Sequence, residues 1–242
     1  MKLCTLFLII FGSILYSQTN DLKSQYEVIY RIKSFPDTLS KKNTIEEDLS
    51  LLINGNKSLF KSTKKAYSDS IAMEIGEKSL ANSIDGKVIL DMRNVPIVNF
   101  KSEVFFDNGK QTVYKELVKN RFSYPLEDVL HWKIEEETKM IGSYLCKKAT
   151  IKYKNRNYAA WFAESVPIPD GPYIFKGLPG LILEVYDQSD TVHFSMVSLK
   201  KVEKPMVVMK DSAATKYSIF YQARKLFRQS GGCTIQSDRN KS

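Results

Sequence analysis

Six side chains in this sequence have the chemistry to act on a substrate: Glu164, Asp170, Glu184 and His193 as acids or bases, and Ser165 and Ser195 as nucleophiles. A reaction needs such groups within reach of one another, a nucleophile beside its base or an acid facing a base. Neither serine is flanked by the glycines of a nucleophile elbow, and no HExxH pattern occurs. His193 lies between Val192 and Phe194 in a stretch that reads as a strand, so an ordinary sheet-face histidine is the expectation there. One enzymatic reading remains, a hydrolase using Asp170 or Glu184 with His193. With His131 and His193 the chain's two histidines, and Cys146 and Cys233 far apart, a structural zinc site is not expected. Glu135-Glu136-Glu137 reads as the solvated tip of a hairpin rather than a metal cluster, and no cofactor motif is present. No catalytic residue is assigned, and a non-catalytic protein is favoured.

Binding has better material. Trp132, Tyr158, Trp161, Phe162, Tyr173 and Phe175 either line an apolar groove or fill a core, since large aromatics serve both ends. Several belong to residues 161–186, where Pro167, Pro169, Pro172 and Pro179 alternate with Gly171, Gly177 and Gly180. Proline fixes φ and glycine permits positive φ, so a stiff, kinked loop is expected between two strand-like ends. Leu178-Pro179-Gly180-Leu181 reads as a type II turn. A flexible linker would not carry Tyr173, Phe175, Leu178, Leu181 and Ile182, so the loop is expected to dock on the core or on a ligand. The net charge of +9 suits anionic lipid head groups, acidic glycans or acidic proteins, and equally a lysine-rich surface that blunts sheet edges. No nucleic-acid motif accompanies it, and nucleic acid is not expected as a partner.

The elements that must position these residues are mostly strands. Residues 1–17 carry one lysine, a short apolar run and a small residue at the end, the pattern of a signal peptide. No transmembrane segment is read, and export to the periplasm or beyond is expected, with Cys4 lost in the leader. In an oxidising compartment Cys146 and Cys233 form a candidate disulfide, with two free thiols as the alternative. Residues 18–236 read as a single domain and 237–242 as a disordered tail. Alternation marks strands at 26–35, 87–92, 104–106, 112–119, 129–134, 142–154, 158–164, 181–186 and 191–199. Asn54-Gly55 predicts a hairpin turn within 48–60, Asp107-Asn108-Gly109 a three-residue hairpin loop, and Tyr124-Pro125 a break in pairing. Residues 64–81 allow a helix. A second begins at Asp211 or Ser212 and runs through Gln229, with Tyr217, Phe220, Tyr221 and Phe227 at helical spacing.

Residues Gly177 to Ile182 spell GLPGLI, and Trp132, the 142–149 run, Ala160-Trp161-Phe162, Ile168-Pro169 and Gly171-Pro172-Tyr173 precede it in order. On these motifs the sequence resembles the GLPGLI family of exported Bacteroidetes proteins, a resemblance that implies export and no assigned activity. Residues 141–149 are similar to the half-open barrels of lipoprotein carriers, which implies a concave apolar face able to hold acyl chains. The fold expected is mainly β (α+β), a curved antiparallel sheet or half-open barrel with one or two helices, including one at the C terminus. The function expected is binding of a lipid or other apolar or amphipathic small molecule, or of a partner protein, at the cell envelope. Trp161, Tyr173, Phe175, Leu178, Pro179 and Leu181 are the loop residues expected to carry it. A structural partner of an outer-membrane assembly, with this loop as the docking edge, is the remaining alternative.

Overall fold

In the computed structural model, residues 22–35, 44–81, 91, 93–118, 120–209 and 211–229 are described. Along the chain these form β1 (Tyr26–Ser34), β2 (Ile45–Asn54), β3 (Lys57–Ser62), α1 (Thr63–Ala81), β4 (Ser102–Asp107), β5 (Lys110–Leu117) and β6 (Asn120–Leu126). They continue as β7 (Lys133–Ile141), β8 (Tyr144–Tyr153), β9 (Arg156–Ala163), β10 (Leu181–Asp187), β11 (Val192–Lys201), β12 (Ala213–Ala214) and α2 (Tyr217–Gln229). The signal peptide, the tail, Cys233 and, apart from Asp91, the strand expected at 87–92 lie outside the described residues.

Among the described residues the twelve strands belong to one sheet, in the order β12-β6-β5-β4-β3-β2-β1-β11-β10-β9-β8-β7. Two antiparallel meanders meet at the β1–β11 pair, so the chain walks from the centre to one side, crosses over, and walks back. That crossing is short: residues 127–132 alone join β6 to β7. Seven residue steps reach at most about 25 Å. Ten strand spacings laid flat would separate the two strands by about 48 Å. The sheet must therefore roll until its far sides approach, and side chains confirm the approach. Tyr153 of β8 donates to Asp128 in the crossing (3.0 Å), and Gln111 of β5 donates to the Ile174 carbonyl (3.4 Å).

Alternation sorts the two faces. Val28, Tyr30 and Ile32 of β1, Leu49, Leu51 and Ile53 of β2, and Ala149 and Ile151 of β8 are buried, most of them in the concave core. The Pro/Gly loop between β9 and β10 enters that concavity, bringing Ile174, Phe175 and Leu178 into the same core. On the convex face Met206, in the segment that follows β11, packs with Leu52 and Leu59 in a smaller cluster.

Several turns differ from their sequence readings. The Asn54–Lys57 pair closes the first hairpin around Gly55-Asn56, one residue later than Asn54-Gly55 suggests. Asp107 pairs with Lys110, which leaves a two-residue loop of Asn108 (φ 49°) and Gly109 (φ 86°), the type I′ form, in place of three residues. Tyr124-Pro125 does not end pairing: Pro125 sits opposite Thr112, tolerated because β6 has only the two-residue β12 on its far side. Residues 129–132 are not strand, and the Glu135-Glu136-Glu137 run lies inside β7, at an irregularity between Ile134 and Thr138, instead of at a tip. Helix α2 begins at Tyr217, because Ala213 and Ala214 extend alongside β6 first.

Candidate functional site

The loop is built from its prolines. The N–H groups of Ile168, Asp170 and Gly180 donate to the carbonyls of Val166 (2.7 Å), Ile168 (2.7 Å) and Leu178 (2.8 Å). Each bond closes a three-residue turn centred on Pro167, Pro169 or Pro179, the inverse γ-turn that proline's fixed φ suits. The predicted type II turn is thus replaced by a γ-turn, and Gly180 lacks the positive φ that type II requires. The loop is pinned from both sides: Ile182 N–H donates to Asp170 O (2.9 Å), and Trp132 Nε1 donates to Lys176 O (2.9 Å). Beneath it Lys176 pairs with Asp170 and donates to Ser58 Oγ (3.0 Å), and burial pulls its ammonium below the usual lysine range against the pull of Asp170.

Tyr173 stands at the turn closed by Phe175 N–H on Pro172 O (3.1 Å), with φ +57°. A bulky residue in that region is strained, by about 1–3 kcal/mol, and persists only where its surroundings over-determine it. Here the ring meets Phe100 edge-on at 5.7 Å and carries the Lys115 ammonium at 5.5 Å. Phe175 packs against Tyr158 (4.9 Å), Trp132 (6.2 Å) and Phe194 (6.5 Å).

Between this end of the loop, the concave sheet and α2 opens a cavity of about 450 Å³. Its walls come from β1, β4, β5, β6, β8, β9, β11, the loop and α2, which only a rolled sheet brings together. Ten of its lining residues are aromatic, among them Tyr124, Tyr158, Tyr173, Phe194 and Phe220. Four are basic, Lys115, Lys154, Arg156 and Arg224, and among the described residues none of the lining is a carboxylate. Burial raises the Tyr124, Tyr153 and Tyr158 hydroxyls above the usual tyrosine range, so they present neutral O–H groups. The site can hold an apolar body against ring faces and offer cations at its wall.

A larger cavity, about 700 Å³, lies on the convex face, and its ions answer one another. Lys204 pairs with Glu27 (2.6 Å), Lys65 with Glu116 (3.0 Å), and Lys61 donates to Val207 O (3.1 Å).

The structure divides the residues singled out in the sequence. Tyr173 and Phe175 line the concave cavity, as does Tyr158. Trp161 does not: three residues along β9 from Tyr158, it lies on the convex face, where Lys139 sits 4.4 Å over its ring and Tyr186 accepts its Nε1–H at 3.5 Å. Leu178 and Leu181 are core, at 1% and 0% exposure, while Pro179 reaches solvent. Ile182 is also fully buried, so the motif offers solvent only Gly177 and Pro179. Cys146 is buried in β8, and burial raises its thiol. Glu184 and His193 meet on the convex face (2.8 Å), with Asp190 on the other ring nitrogen (3.0 Å). Asp170 is not with them; it belongs to the Lys176 pair on the concave side. Sequence reasoning missed Phe100, Lys115, Tyr124, Tyr153 and Phe194, whose shared face emerges only from strand parity and the roll. Tyr217, Phe220 and Tyr221 were legible through their helical spacing.

A family model described as a protein of unknown function (Porph_ging) matches residues 152–184. The match covers β9, the loop and the start of β10, as far as Glu184. It contains the GLPGLI residues and Tyr158, Tyr173 and Phe175 of the cavity wall. No curated protein matches the chain. Among solved structures the chain is similar to PNGF-II in the P21 space group, with a TM-score of 0.53 and 15% identity over 81% of this chain. PNGF-II in the C2 space group gives 0.52 and 14% over 83%. The chain spans about a third (32%) of the length of those proteins, and the likeness is one of fold.

Proposed function

We propose that this protein is an exported, non-catalytic component of the cell envelope that binds a small apolar or amphipathic molecule inside its rolled sheet. The observation that carries the reading is the cavity beside the loop, of a size for one small ligand and faced by ten aromatic residues. The strained Tyr173 at its wall fits the same reading, since such strain gathers at ligand clamps. Family likeness supplies no activity, and a shared fold hosts many functions.

The neutral fluorophore N-phenyl-1-naphthylamine tests it. Titration of the mature protein should give saturable enhancement at one probe per chain. Tyr158→Ala, which removes a ring from the wall, and Val192→Trp, which fills the cavity from β11, should each weaken binding about tenfold while circular dichroism keeps the β signature. Absence of saturable binding by the parent protein, or binding as tight as the parent's by both folded variants, overturns the reading.

A further inference from the structure

We propose that the molecule held in this cavity is an anionic amphiphile, an apolar body ending in one negatively charged head, and that Lys115 and Arg224 read the head. The inference rests on the cavity being a ligand site and adds the ligand's charge. Of its four cations, two already have acidic partners: Arg156 is held by Asp187 (3.1 Å) and by Thr191 Oγ1 (3.0 Å), and Lys154 lies 3.7 Å from Asp128. The other two do not. Lys115, half-buried on β5, donates to the Ser102 hydroxyl (2.8 Å) and lies over the Tyr173 ring, and among the described residues no carboxylate stands within ion-pair distance. Arg224, one turn along α2 from the buried Phe220, lines the cavity with its side chain exposed and likewise has no carboxylate partner among them.

An ammonium drawn partly out of water is disfavoured until an anion meets it, and a hydroxyl and a ring face compensate only in part. The cavity on the convex face shows the alternative this protein uses elsewhere, where Lys204 and Lys65 each have a glutamate. With no carboxylate lining the concave cavity among the described residues, Lys115 and Arg224 are available to an incoming anion. Rings on the remaining walls take the apolar part, and a guanidinium at the α2 side suits a carboxylate or phosphate oxygen pair.

Displacement of N-phenyl-1-naphthylamine by dodecanoate, dodecanol and dodecyltrimethylammonium, each below its micelle concentration at pH 7.5, tests the charge directly. Dodecanoate should displace the probe at a concentration at least about tenfold below dodecanol, with the trimethylammonium weakest. Lys115→Met and Arg224→Met should each shrink the dodecanoate preference several-fold, and the double variant should abolish it. Circular dichroism and a urea midpoint close to the parent's show that the variants still fold. Equal displacement by dodecanoate and dodecanol, or a preference that survives the double variant, overturns the anionic assignment and leaves the cavity reading standing. Failure of the fluorophore to bind the parent protein overturns both.

Discussion

Gly180 and Gly177 sit three residues apart in the loop and are glycine for different reasons. A Cβ on Gly180 would fall onto the Ala163 carbonyl oxygen and within 2.7 Å of its carbon, both backbone atoms of β9 that cannot swing aside. Gly177 has open space around it but holds φ +91°, a region side chains disfavour. Gly180→Ala should therefore cost about 3 kcal/mol, by overpacking, and Gly177→Ala about 1–2 kcal/mol, by backbone strain. Urea denaturation of the two variants checks the order, and equal losses would refute the distinction. The sequence showed that the loop was stiff and that its glycines mattered. It could not separate conformation from clearance, because clearance depends on β9, which pairs with the far end of the loop. The same limit applies to Trp161: its size marked it as important, while its face follows from counting along a strand whose start the sequence left uncertain by a few residues.

Among the elements, β10 and β11 are joined by only three residue pairs, Glu184–Ser195, Val185–Phe194 and Tyr186–His193. Side chains reinforce that thin joint on the convex face. His193 Nε2 meets Glu184 at 2.8 Å, Lys139 reaches the same carboxylate from β7, and Asp190 holds Nδ1 at 3.0 Å. The hydrogen bond to Glu184, opposed by burial, raises His193 above its ordinary 6.5, and that same bond lowers Glu184 below its ordinary 4.5. A raised histidine contributes stability that is complete below about pH 6.5 and is lost as pH rises through the higher folded value. A lowered glutamate contributes above about pH 4.5 and loses it as pH falls through the lower one. The pair thus works best in mildly acidic solution. Between pH 6 and pH 9 the parent protein should lose roughly 0.5–1 kcal/mol more stability than His193→Gln, a modest figure because the ring is partly exposed. Parallel pH profiles would show that the bridge contributes nothing. Strand existence was largely legible from alternation, and hairpin turns were legible to within a residue. Pro125 misled because proline breaks a central strand but not one near a sheet edge, and edge position is a property of the whole sheet. Residues 129–132 misled because Val129 and Trp132 are β-forming types, placed here in a crossing that must span the rolled sheet.

At the scale of the molecule, the short 127–132 crossing forces a roll, and the roll makes a cavity whose lining residues lie as far apart in sequence as Ile32 and Arg224. The class of the fold, a curved antiparallel sheet with a C-terminal helix, followed from the pattern of strands and turns. The pairing of β1 with β11 did not, since no local signal links residues so distant in sequence. The anionic amphiphile reading depends on that pairing, because it brings Phe194 beside the rings of Phe60, Phe100 and Phe175. The most direct test is to see where dodecanoate sits. With tyrosine rings labelled in carbon-13, its addition should shift the signals of Tyr124, Tyr158 and Tyr173 and leave Tyr67 on α1 and Tyr144 on β8 unmoved; shifts confined to Tyr67 and Tyr144, or no shifts at saturation, would contradict a ligand site within the roll.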